Sequence, residues 1–326
     1  MKTFRTAMLY VGAVIGAGFA TGKEIVTFFG GKGIVSAIIA GLLLGVFCSV
    51  FLLCGKINCF AILPSLAFTL LQTALFISTT LVYLSMCSGA SQIVFDAFGI
   101  RGMGLILGAI TCFVMLRQDF LAHVNSLIIV AVVLMMLYFL REATPCPLGG
   151  VGILRILQYC GLNVMLGGYV VSEEGKNMKG RQITLAGVLS GGVLALMLAV
   201  GYAISKDNAH APMPVFEFAK AHGLGGVCSV IILGAIITTM FACARALYTK
   251  ISIISAKKLI AVLLVSVLSI IGNFLDFGWC VKVFFNFAGC LGVVWLIVAV
   301  ACLSITRARK GGKSARKNAS TQKLLD

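Results

Sequence analysis

Residues Gly12–Glu24 read "GAVIGAGFATGKE", four glycines and a Lys-Glu pair inside an apolar run that extends from Thr6 to Phe29. An unbroken helix in lipid has no use for this composition, because glycine weakens helices and charge is costly at membrane depth. Thr21 and Glu24 form the pattern T-x-x-E, a capping box in which the two side chains satisfy amides at a new helix start. A helix start in mid-span means that the first helix is broken near residues 16–21. Main-chain groups released around Gly16 and Gly18 are then tolerable only where they line a cavity. Thr21 and Glu24 are therefore read as a helix cap, with Glu24 also a candidate gate or proton carrier.

The rest of the chain agrees with a membrane setting. Of 326 residues, 60% are hydrophobic and 11% charged, and the mean hydropathy is +1.08. Soluble domains do not reach that balance. Apolar runs long enough for a bilayer core of about 30 Å fall near 6–29, 33–54, 62–95, 102–117, 122–140, 150–174, 182–205, 224–250, 258–274 and 280–305. This predicts an all-α polytopic protein of about ten transmembrane helices. The third run, uncharged from Phe60 to Phe95, predicts one long tilted helix with Pro64 near its first turn. "VFEFAKAHG" after the seventh span predicts a short amphipathic helix.

With both termini inside, the cytoplasmic segments carry Lys2, Arg5, Lys56, Arg117, Lys176, Lys179, Arg181, Arg245, Lys250, Lys257, Lys258 and seven further basic residues in the tail. This bias predicts a multi-pass protein of the inner (plasma) membrane with cytoplasmic termini. The net charge of +16 is thereby explained without nucleic acid as a partner. The tail, 306–326, is read as a disordered basic segment near anionic lipid. The start "MKTFR" resembles a signal peptide, but the run behind it continues through Lys23 and Glu24 into further spans. Most of the twelve cysteines sit inside apolar runs without a CxxC pair, as small buried hydrophobes rather than metal ligands or disulfides.

"AGFATGKE" (17–24) and "GGYVVSEE" (167–174) align at an offset of 150 residues. They occupy the first and sixth of ten spans, which predicts two inverted five-helix repeats, 1–142 and 143–305, with the sixth helix broken near 161–168. Gly-interrupted segments at corresponding positions of two inverted halves point to a midplane binding site in a secondary transporter. The alternative is that the glycines allow close helix packing.

Ten spans, "GAVIGAGF" in the first and "GLNVMLGGY" in the sixth resemble the LeuT-type fold of the amino acid, polyamine and organocation transporter superfamily. "VGAVIGAGFATGKE" resembles the start of the YkvI-like family of bacterial membrane proteins. The resemblance implies secondary active transport of a small solute, an amino acid or related zwitterion or amine, by alternating access and without enzymatic chemistry. Ala235, Thr238 and Thr239 share one face of the eighth helix at i, i+3 and i+4. In sodium-coupled members of the fold such a face holds an ion against the broken first helix, where Gly12 and Ile15 match by position. Five neutral oxygens suit a hard monovalent cation, so sodium is the one cofactor implied. The fifth span lacks the lysine that replaces the ion in some proton-coupled relatives. Against this, membrane threonines also bond back to their own helix.

The substrate would lie between the breaks, with amides around Gly16, Gly18 and Phe19 facing a carboxylate. Asn163 and the sixth-helix carbonyls near Gly167 would face an ammonium, with Tyr83 alongside. Two alternatives stay open: proton coupling in the same fold, and a membrane sensor that does not transport. The three histidines lie at span ends or in a loop, away from any nucleophile at membrane depth, which argues against a hydrolase.

Overall fold

The computed structural model describes residues 2–100, 106, 120–255 and 258–322, and every regular element among them is helical. Apart from Ile106, the expected fourth span lies outside the described residues. The first span is three pieces, α1 (Lys2–Val14), α2 (Ala17–Thr21) and α3 (Lys23–Phe29). There follow α4 (Ile34–Ile57), α5 (Ser65–Phe98), α6 (Phe120–Phe139), α7 (Ile153–Gly175) and α8 (Gly180–Ser205). The short α9 (Pro214–Ala221) leads into α10 (Gly225–Ser255) and α11 (Lys258–Asn273). One turn, α12 (Phe277–Cys280), passes through a π-turn (Val281–Phe285) into α13 (Asn286–Gln322). Five described helical stretches are long and apolar enough to cross a membrane, and the chain is an all-α membrane protein.

Sequence punctuation sets the ends. Pro64 stands at the N-cap of α5, where its missing N–H costs nothing, and Gly99 closes that helix in the left-handed region. At 34 residues, α5 spans about 50 Å, longer than a hydrocarbon core, so it tilts. The first amides of α4 borrow carbonyls from the 143–152 segment: Ile34 N–H donates to Pro147 O and Val35 N–H to Leu148 O. That segment is pinned in turn by Thr144, whose hydroxyl donates to Asp207 Oδ2 at 2.8 Å. The Lys206 ammonium and Thr144 together hold the Asp207 carboxyl below the usual aspartate range. At the other end of the molecule, Lys2 Nζ donates to Asn177 O at 3.1 Å.

The core is built around α4, which packs along α8 on one side and α7 on the other, while α7 also packs on α13. Gly45 of α4 and Gly187 and Gly191 of α8 let the two backbones meet: a Cβ on Gly45 would overlap Gly187 O and lie 2.5 Å from Gly191 Cα. Such small-residue crossings replace the hydrophobic driving force that lipid cannot supply.

Two expectations are corrected here. The sixth span is not broken near 161–168, since α7 is a continuous helix from Ile153 to Gly175. Its glycines are contact surfaces instead. A Cβ on Gly161 would lie 2.6 Å from Val293 N of α13, and one on Gly168 would lie 3.0 Å from the Phe51 ring of α4. The tail expected to be disordered continues α13 to Gln322, in keeping with the helix propensity of its Ala, Arg, Lys and Gln.

The α4–α8 crossing makes a prediction. Gly45→Ala lowers thermal stability in detergent, at an overpacking cost of about 1–3 kcal/mol. Gly192→Ala, one residue beyond Gly191 on the exposed side of α8 where a Cβ meets nothing, leaves it unchanged or raised by up to about 1 kcal/mol.

Candidate functional site

The interruption of the first span can be followed bond by bond. Ile15 N–H still reaches Val11 O at 2.8 Å, but Gly16 N–H turns to Val14 O at 2.9 Å. Ala17 N–H leaves the segment altogether and donates to Thr239 Oγ1 of α10 at 3.3 Å. In a continuous helix those two amides would bond Gly12 O and Ala13 O. Both carbonyls are therefore left without a donor among the described residues, as is Ile15 O, and the Gly18 and Phe19 amides have no acceptor. Ile15 and residues Ala17–Thr21 are buried, so the Ile15 carbonyl and the Gly18 and Phe19 amides face protein, while Gly12 and Ala13 are half-buried.

The second joint is Gly22, whose φ of +75° is a left-handed conformation that glycine adopts without strain. The expected capping box does not form. Gly22 itself occupies the N-cap of α3, and no side chain caps that helix. Thr21 Oγ1 donates to Gly18 O at 2.9 Å and accepts from Lys23 N–H at 3.4 Å. The kink at Gly22 sends the Glu24 carboxylate inward. Glu24 is 5% exposed, accepts from Asn163 Nδ2 of α7 at 3.3 Å, and has the Tyr159 side chain beside it. Gly18 lies against the same carboxylate: a Cβ there would overlap Glu24 Oε2 and stand 2.9 Å from Phe285. Among the described residues Glu24 has no ion-pair partner. Its neighbour Lys23 points elsewhere and donates to Ala209 O at 3.2 Å and Ala211 O at 2.8 Å.

Of the residues considered for an ion, Thr239 meets the break directly, since a Cβ on Gly16 would lie 3.5 Å from its hydroxyl. Thr238 and Thr239 both donate back to Ala235 O, at 3.1 and 2.9 Å. The local bonding open from sequence is thus present. It directs both hydroxyl protons away and leaves oxygen lone pairs to accept, while Ala235 O is occupied twice. Ile15 is buried, and a Cβ on Gly12 would stand 2.8 Å from Ile129 of α6.

The substrate set divides. Gly16, Gly18 and Phe19 stay together at the break, with the Phe19 ring facing Gly201 of α8. Asn163 is engaged by Glu24 and by Tyr159 O, the latter at 3.0 Å, rather than open to an ammonium. Gly167 packs on Ala13 and Tyr10 of α1, 3.3 and 3.5 Å from where a Cβ would be. Tyr83 is fully buried, with its hydroxyl 3.5 Å from Val265 O of α11. Sequence reasoning missed Tyr159 and Ala13. Tyr159 sits one helical turn before Asn163, a spacing that marks a shared face. Neither protein-family models nor curated proteins give a match to the chain.

The Glu24–Asn163 contact sets the next prediction. Asn163→Leu leaves a buried carboxylate without its amide donor and costs about 1–3 kcal/mol, while Glu24→Gln keeps an acceptor and costs less than about 1 kcal/mol. In thermal unfolding of the purified protein, Glu24→Leu/Asn163→Leu loses less than the sum of the two single changes.

Proposed function

We propose that the protein is a ten-span secondary transporter with the five-plus-five arrangement of the LeuT-type fold. It moves a small solute, an amino acid or related zwitterion or amine, by alternating access coupled to sodium. The observation that carries the reading is the interrupted first span. Carbonyls of half-buried Gly12 and Ala13 and of buried Ile15, with the buried amides of Gly18 and Phe19, are released from the helical ladder beside Thr239, where a polar guest has a reason to bind and lipid has none.

The helix pairing supports the repeat. Counting the expected fourth span, α4 and α8 are the second and seventh and α5 and α10 the third and eighth, and each pair packs together. The first span packs on the seventh as the sixth packs on the second, the correspondence that a five-span shift demands. The unbroken α7 departs from the fold's usual pattern. The polar backbone of the site then comes from the first span, with Glu24 rather than Asn163 facing a substrate ammonium.

For the ion, the free carbonyls of Gly12 and Ile15 and the lone pairs of Thr238 and Thr239 support sodium. A second reading, proton coupling, is favoured by Glu24 itself, a buried carboxylate with one amide donor and no ion pair among the described residues. Intramembrane carboxylates in that condition are proton carriers in pumps and transporters.

The two couplings separate experimentally. Thermal unfolding in sodium against potassium at equal ionic strength is expected to show a sodium-specific gain, about 2.7 kcal/mol at 100 times the dissociation constant, that Thr238→Ala/Thr239→Ala removes. Uptake of mixed radiolabelled amino acids into vesicles should follow the sodium gradient. If instead sodium has no effect, and uptake follows a pH gradient and is lost in Glu24→Gln, coupling is by protons. Absence of uptake under either gradient overturns the transport reading.

A further inference from the structure

An open pocket of about 610 Å³ lies directly over the broken span. One wall is α3, through Lys23, Val26 and Thr27; the others are Arg155 at the start of α7, the loop at Ala209, His210 and Pro212, and the π-turn region from Asp276 to Asn286. Three basic side chains, Lys23, Arg155 and Lys282, line it against one carboxylate, Asp276. That carboxylate is engaged, since Asp276 Oδ1 accepts the Trp279 N–H at 2.6 Å as the cap of α12.

Asp276 lies near Lys23 and offsets part of its charge, and neither Arg155 nor Lys282 has an ion-pair partner among the described residues. Arg155 Nη1 is held by neutral groups, Asn286 Oδ1 at 2.6 Å and Gln158 Oε1 at 3.4 Å. Those bonds orient the guanidinium and leave its remaining donors for a planar anion. The Lys282 ammonium has no hydrogen-bond or ion-pair partner among the described residues, and Lys23 Nζ bonds only main-chain carbonyls. Neither of the two ion pairs among the described residues involves this pocket. A cleft whose lining is net positive concentrates anions within it, and one of its walls is α3, the piece that carries Glu24.

We infer that this pocket is a binding vestibule for small organic anions bearing carboxylates, with Arg155 and Lys282 as the anion ligands, and that among amino acids the protein handles the acidic ones, which keep an ammonium for Glu24 and carry net negative charge. The substrate class rests on the transport reading; the binding site does not. A dicarboxylate satisfies both ligands at once, and a zwitterion such as glycine gains from them far less.

Trp279 lines the pocket, and the chain has one other tryptophan, Trp295. The full-length Trp295→Phe protein in nanodiscs therefore reports from the vestibule by fluorescence. Succinate is expected to give a saturable change at constant ionic strength, with succinamide and glycine giving none, and Arg155→Gln/Lys282→Gln weakening succinate at least tenfold. A response that chloride reproduces, or one unmoved in that double variant, overturns the site. Because Trp295 stacks on Phe60 and its replacement can disturb folding, the wild-type protein gives a second measurement. Its melting temperature rises in succinate over equimolar succinamide at matched ionic strength, a rise absent in Arg155→Gln/Lys282→Gln; no difference overturns the proposal. Succinate binding without uptake of radiolabelled acidic amino acids, where neutral ones are taken up, keeps the vestibule and overturns the acidic substrate. Uptake of neutral amino acids with no succinate response overturns the vestibule and leaves the transport reading intact.

Discussion

A peptide group inside a bilayer has no water to fall back on, and the structure depends on how this chain meets that constraint between Val14 and Ala17. Opening a helix there frees several donors and acceptors at once, each expensive if it faces hydrocarbon. The Ala17 N–H to Thr239 Oγ1 bond satisfies one of them and also fixes where α10 must lie. With α2 held against α10, and α3 enclosed by α7, α8 and the π-turn, the remaining unbonded groups are kept away from lipid. The close glycine-mediated crossing of α4 and α8 supports this enclosure from outside by letting helices that gain nothing from the hydrophobic effect in lipid meet backbone to backbone.

The polar side chains near the break follow the same logic. Glu24 is acceptable at 5% exposure because Asn163 donates to it and because Gly18 has no side chain to compete for the space. Lys23 is acceptable beside it because its stem leads the ammonium out to the carbonyls of Ala209 and Ala211, as long cationic side chains do near membrane surfaces. The charged pair that looks misplaced in the sequence is two separate solutions, one facing inward and one outward.

What sequence made legible was the existence of helices and of the first interruption. The apolar run that opens at Pro64 states its own beginning, and Gly16 and Gly18 within three residues weaken a helix whatever surrounds them. The glycines of α7 carry the same local signal with a different outcome. Whether Gly161 or Gly168 breaks a helix or seats a neighbour depends on α13 and α4, which no local pattern contains. The T-x-x-E motif failed for a related reason. Its spacing is right, but Gly22 between the two residues takes up a left-handed turn and redirects the glutamate to a partner 139 residues away. The vestibule cations were visible only as scattered basic residues, since Lys23, Arg155 and Lys282 come together through tertiary packing alone.

Lys23 and Glu24 are adjacent on one short rigid helix, yet they grip different bodies, the loop at 209–211 and helix α7. A helix of seven residues that begins at Gly22 is thus tied at adjacent positions to two neighbours on different sides. Its orientation is set from both at once, so a change in either neighbour's position is felt at the same short helix.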